Sequence, residues 1–224
     1  MNTINPFSRP LYVMLKPVGA ACNLRCHYCY YLEKACLYKD SSKRVLSEEM
    51  LDQFTKEYIE AQTMNDVLFT WHGGEPLMRP LSFYRKALEL QKKYGRGRNI
   101  SNVIQTNGTL LTDEWCRFLH ENNWLVGVSI DGPQEFHDEY RRTASGGPSW
   151  AKVMRGIQLL NKHHVEWNAM AVVNDFNADY PLDFYHFFKE MGCRFIQITP
   201  VVERMVNHAD GRHLATLTDD ATAP

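Results

Sequence analysis

Six short, almost continuously apolar runs alternate with stretches of helical period along this chain, and that alternation restricts the fold more than any other feature. The runs fall at about 11–15, 67–71, 103–106, 124–130, 166–173 and 195–199. Strands read this way when helices cover both faces of a parallel sheet. Five helices separate them: one after Ser47, then 81–94, one after Thr112, then 150–164 and 181–191. Ser47 is a predicted N-cap, with Glu48 and Glu49 in the first turn and Leu46 and Leu51 placed as a hydrophobic staple. The pattern predicts one α/β core domain over residues 1–200 and a polar tail over 201–224.

In (β/α) folds the reactive groups sit on loops at the C-terminal ends of the strands. Every unusual motif here falls at such an end. The first strand is followed by Cys22-Asn23-Leu24-Arg25-Cys26-His27-Tyr28-Cys29, and the second by His72-Gly73-Gly74-Glu75-Pro76. Gln105-Thr106-Asn107-Gly108 closes the third and Ser129-Ile130-Asp131-Gly132 the fourth. Loops distant in sequence are therefore expected on one rim.

Three thiolates in a C-x3-C-x2-C loop would hold a [4Fe–4S] cubane with one iron left open, since each iron takes one ligand. Other readings of the cysteines remain. A zinc site would join Cys26 and Cys29 to His27 or Cys36, but no second hook follows. A ferredoxin-type cluster would recruit Cys36 at a spacing that does not fit the bacterial run. Disulfides need an oxidising compartment, and the N-terminus carries no secretory pattern.

Paired glycines let the backbone of Gly73 and Gly74 approach a ligand closely, with Glu75 adding negative charge. A plain strand-to-helix turn with an exposed glutamate is the bland alternative. Ser129 offers a hydroxyl, Gln105 and Asn107 offer amides, and Arg141 can pair with a carboxylate. Capping and surface roles would account for each of these separately. His72 reads as a polar wall. Cys116 and Cys193 read as packed core thiols.

The remaining bounds come from size and charge. The 224 residues are 44% hydrophobic and 23% charged, with net charge −1. That balance gives no electrostatic footprint for nucleic acid or an anionic membrane. No apolar run reaches the roughly 20 residues needed to span a bilayer. The expectation is a cytoplasmic protein with no nucleic-acid or membrane partner.

The cysteine spacing, with Tyr28 just before the last cysteine, resembles the radical S-adenosylmethionine (radical SAM) superfamily. Joined by Tyr30-Tyr31, Gly73-Gly74-Glu75-Pro76, Gln105-Thr106-Asn107-Gly108-Thr109, Ser129-Ile130-Asp131-Gly132-Pro133 and Arg141, it is similar to the anaerobic sulfatase-maturating enzymes from about residue 11 to 200. The resemblance implies a partial (β/α)6 TIM-like barrel whose last helix is missing or incomplete. It implies that Cys22, Cys26 and Cys29 hold the cluster and that SAM binds at the open iron. Gly73, Gly74 and Glu75 would receive the SAM amino group, with Tyr28, His72 and Gln105 around it. Ser129 and Arg141 would bind SAM, Ile196 would touch the adenine and Tyr31 would contact the peptide substrate.

The implied reaction is oxidation of a serine or cysteine in an unfolded sulfatase peptide to Cα-formylglycine. A 5′-deoxyadenosyl radical would remove a Cβ hydrogen, and a flavodoxin or ferredoxin would supply electrons. Such enzymes carry a C-terminal region with two auxiliary clusters and an aspartate base, which this sequence lacks after Pro200. The tail is then a remnant of the link to that region, and a chain able to bind cluster and SAM is expected to oxidise peptide poorly. A thioether-forming radical SAM maturase or a non-enzymatic iron–sulfur or zinc protein are the alternatives.

Overall fold

The computed structural model describes residues 10–34 and 45–201. Its strands are β1 (Met14–Leu15), β2 (Asp66–Trp71), β3 (Asn99–Thr106), β4 (Leu125–Ser129), β5 (Trp167–Val173) and β6 (Ile196–Pro200). The helices are α1 (Tyr31–Lys34), α2 (Glu48–Ala61), α3 (Leu81–Tyr94), α4 (Asp113–Glu121), α5 (Gln134–Tyr140), α6 (Trp150–Lys162) and α7 (Pro181–Glu190). All six strands pair in parallel in sequence order, so the sheet is open between β1 and β6. This is the parallel α/β sheet expected from the alternation, in the partial-barrel form that the resemblance implies. No helix follows β6 among the described residues. Cys36 and residues 202–224 lie outside them.

Local chemistry accounts for the element ends. The Ser47 hydroxyl accepts from Met50 N, and the Thr112 hydroxyl from Trp115 N at 3.2 Å, each with two acidic residues in the first turn. Three helix-to-strand returns share one device. Asn123, His164 and Gly192 sit at positive φ just past α4, α6 and α7, and the next residue's N–H reaches back five residues: Trp124 to Leu119, Val165 to Leu160, Cys193 to Phe188.

Two expectations shift. β1 covers only the last two residues of its apolar run, because Leu11, Tyr12 and Val13 are exposed on the open edge. The short helix α5 was not foreseen; its seven residues show too little periodicity to stand out.

The core lies between sheet and helices. Val67, Phe69 and Trp71 of β2 point under α2 and α3, where Phe69, Trp71, Phe83, Tyr84 and Trp124 form an aromatic stack. Trp71 Nε1 donates to Asn102 Oδ1, and Asn102 exchanges two amide bonds with Gln91, so these buried polar atoms are satisfied. Cys116 is fully buried in this layer and Cys193 packs at its margin. Alternation turns the other residues of each strand toward the concave face, where Gln105, Gly127 and Asn168 stand in register.

Candidate functional site

The cysteine loop is held at the rim from three directions. The first is the glycine turn after β2. Gly74 N donates to Gly19 O and Glu75 N to Ala21 O, both at 2.8 Å. Only glycine permits this approach, since a Cβ on Gly74 would lie 2.0 Å from Ala21 O. Gly73 adopts φ +126°, and its N–H donates to His72 Nδ1. Among the described residues no hydrogen bond ends on the Gly73 or Gly74 carbonyl, which leaves both as acceptors.

The Glu75 side chain turns inward and is completely buried. One carboxylate oxygen accepts from Leu77 N (2.9 Å) and the Thr106 hydroxyl (2.7 Å), the other from Asn107 N (2.7 Å). It therefore clamps the end of β2 to the end of β3 and presents no oxygen to the rim. Burial pushes its pKa up to about 7 against the three hydrogen bonds.

The second direction is β3. Asn107 Nδ2 donates to Asn23 Oδ1 at 2.9 Å and approaches Cys22 Sγ at 3.7 Å. Asn23 Nδ2 in turn donates to the Thr109 hydroxyl at 2.8 Å. Asn23 and Thr109 carried no distinguishing sequence signal, because their pairing spans 86 residues.

The third direction is the segment after α5. Arg25 N donates to Arg142 O (2.7 Å) and His27 N to Tyr140 O (2.9 Å), and Leu24 bridges antiparallel to Thr143. Beneath this ladder Arg141 pairs with Asp131 through Nε (2.8 Å) and Nη2 (3.2 Å), both residues being buried. The Tyr28 hydroxyl donates to the same carboxylate, and the Arg141 guanidinium lies 5.4 Å from the Tyr28 ring centroid.

Three thiols on one anchored loop match the donor set of a [4Fe–4S] cluster with one iron left open. Burial pushes Cys22 up to about 11 and Cys26 up to about 12, and both feel the neighbouring cysteines. Arg141 pulls Cys26 down in turn. Leu24 N donates to Cys22 Sγ at 3.3 Å, an outer-shell bond of the kind that tunes cluster sulfurs. A cubane would take the thiolates of Cys22, Cys26 and Cys29 at separate corners.

The remaining predicted residues divide. Gln105 Nε2 donates to the Ser129 hydroxyl at 3.0 Å on the concave face. Gly127 makes room for that crossing, since a Cβ there would meet Gln105 Oε1 at 2.2 Å. His72 is half-buried beside the glycine turn, and burial lowers its pKa. Tyr31 is buried, with Lys16 Nζ 4.7 Å from its ring centroid and its hydroxyl without a partner among the described residues. Ile196 is not brought to this face. It pairs in register with Ala169, which pairs with Val128, and it packs against the core under the helices. Strand alternation gives the Ser129–Met170 row to Gln197 instead.

Comparison with known proteins places this geometry. Residues 17–188 match the radical SAM superfamily, and the chain belongs to it. It is 72% identical over 218 residues to a serine-type anaerobic sulfatase-maturating enzyme of Bacteroides thetaiotaomicron, covering 97% of this chain and 53% of that protein. A cysteine-type anaerobic sulfatase-maturating enzyme of Clostridium novyi is 36% identical, with 87% of this chain and 52% of that protein covered. The solved structure of native anSMEcpe with bound AdoMet and Cp18Cys peptide superposes with a TM-score of 0.83 at 33% identity, covering 93% of this chain and 55% of that one. The chain thus spans about half the length of the relatives it matches. The superfamily implies a [4Fe–4S] cluster and SAM. No helix among the described residues is long and apolar enough to cross a membrane.

Proposed function

We propose that this chain is the SAM-binding half of an oxidoreductase that converts a serine in a sulfatase peptide to Cα-formylglycine. The observation that carries this reading is the three-sided anchoring of a three-thiol loop beside a glycine turn whose Gly73 and Gly74 carbonyls accept no hydrogen bond among the described residues. The 72% identity to a serine-type enzyme, against 36% to a cysteine-type one, favours serine as the target.

In this reading Cys22, Cys26 and Cys29 hold the cluster, and the Gly73 and Gly74 carbonyls accept from the methionyl ammonium. Once bound, cluster and SAM supply reductive cleavage and hydrogen abstraction at the substrate Cβ. Ser129, held by Gln105, offers its hydroxyl to the ribose or carboxylate of SAM. Arg141 and Tyr28 form a fixed wall, with His72 beside the glycine turn. Tyr31 meets the peptide from the β1 side. Glu75 acts by fixing the turn rather than by touching the ammonium. A flavodoxin or ferredoxin is the electron donor, and the compartment is the cytoplasm. Residues 1–200 form the core domain and 201–224 the start of a link to a further region that supplies the catalytic base.

The test is anaerobic reconstitution followed by incubation with SAM, reductant and a serine-containing sulfatase peptide. The expected result is 5′-deoxyadenosine with little formylglycine by mass spectrometry. A thioether product would replace the sulfatase reading with a different peptide maturase.

A further inference from the structure

We propose that Asp131 is the positioning residue that sets the cysteine loop and Arg141 in one fixed relation. This inference rests on the SAM-binding reading of the rim and adds to it a residue that touches neither cofactor.

Asp131 is fully buried at the end of β4 and serves four donors. Oδ1 accepts from Arg141 Nη2 at 3.2 Å and Val172 N at 2.8 Å; Oδ2 accepts from Arg141 Nε at 2.8 Å and from the Tyr28 hydroxyl. These donors belong to three separate parts of the molecule. Val172 is on β5, Arg141 ends α5, and Tyr28 lies between two of the three cysteines. A two-pronged carboxylate–guanidinium pair fixes the plane of the guanidinium as well as its distance.

A second layer holds the backbone of Asp131 and Arg141. Asp131 N donates to His137 Nδ1 at 3.3 Å, so the ring proton is on Nε2, which lies 2.9 Å from the Ser149 hydroxyl. That hydroxyl donates to Arg141 O at 2.6 Å. Asp138 Oδ1 accepts from Ser149 N and Trp150 N, tying the start of α6 to α5. The loop from Asp131 through His137 and Ser149 back to Arg141 therefore closes on itself. Among the described residues, the Tyr28 side chain joins this closed unit to the cysteine loop by hydrogen bond, and the backbone ladder at Arg25 and His27 supports it.

The experiment compares the reconstituted wild-type chain with Tyr28→Phe, Asp131→Asn and the double variant. SAM affinity is measured by calorimetric titration, the reduced cluster by electron paramagnetic resonance, and folding by thermal melts. Failure of the wild-type chain to bind SAM would overturn the SAM-binding reading and leave the variants irrelevant. With wild-type binding intact, Tyr28→Phe is expected to weaken SAM about 5-fold and Asp131→Asn at least 20-fold, each with an altered SAM-bound spectrum. The double variant is expected to bind no worse than Asp131→Asn, because both changes break one linkage. Where Asp131→Asn loses fold stability, because it leaves Arg141 buried without a counter-charge, Tyr28→Phe, which keeps the ion pair, decides alone. Folded variants that bind SAM within twofold of wild type, with unchanged spectra, would overturn the proposal. A lowered melting temperature with unchanged affinity would do the same.

Discussion

Glu75 and Asp131 are both fully buried carboxylates at strand ends of one rim, yet they are neutralised in opposite ways. Asp131 faces the Arg141 guanidinium and two further donors, so its charge has a counter-charge in contact. Glu75 has only neutral donors, from Leu77, Thr106 and Asn107. Hydrogen bonds alone offset desolvation incompletely, and its pKa rises to about 7. When it is protonated, the Thr106 hydroxyl can reverse its role and accept. The β4 side of the rim is thus locked by an ion pair, while the β2 side is a clamp whose charge depends on pH.

The sharpest way to break this contrast is Gly74→Ala. The added methyl would lie 2.0 Å from the backbone oxygen of Ala21, which cannot swing aside. A destabilisation on the order of 3–5 kcal/mol is expected in urea unfolding of the cluster-free chain, with loss of cluster retention. A near-native midpoint would show that the β2 side does not need this close approach.

A more discriminating change is Glu75→Gln. The folded carboxyl holds its proton to about pH 7, against 4.5 for the ordinary value, so folding takes up a proton between those limits. Stability from this group is therefore full below about pH 4.5, declines as pH rises and levels off above pH 7. The total is on the order of 3 kcal/mol. Glu75→Gln removes that slope and leaves one of the three donors without an acceptor, costing about 1–3 kcal/mol at pH 5. Melts of the cluster-free chain from pH 5 to 8 check both statements; parallel curves for wild type and variant would remove the contrast with Asp131.

Gly127→Ala is the mildest probe, because it touches neither carboxylate. Its methyl would meet the far end of Gln105, which can move at small cost, about 1 kcal/mol or less. Moving Gln105 frees the Ser129 hydroxyl, and SAM affinity is expected to fall about 3-fold in a titration. A larger loss would make the β4 face depend on Gln105 more than on Asp131.

These differences explain what could be read before the fold was known. Apolar runs and caps at Ser47 and Thr112 depend on neighbours in sequence, so the alternation of strands and helices, the helix starts and the gathering of motifs on one rim were legible. The roles of Glu75 and Asp131 were not. Glu75 reads as a turn glutamate near a ligand, and its burial depends on Thr106 and Asn107, 31 and 32 residues away. Asp131 reads as a turn cap, and only α5 brings Arg141 back to it. Ile196 was assigned to the cofactor face although register with Ala169 and Val128 sends it to the core. A single sequence carries strand periodicity but not the register between strands.

The most direct test of the central claim is electron paramagnetic resonance of the anaerobically reconstituted, reduced chain with and without SAM. The account predicts a [4Fe–4S] signal whose g values change when SAM is added, and whose loss accompanies replacement of Cys22, Cys26 or Cys29 by alanine. A cluster signal indifferent to SAM, or one that survives those replacements, would contradict it.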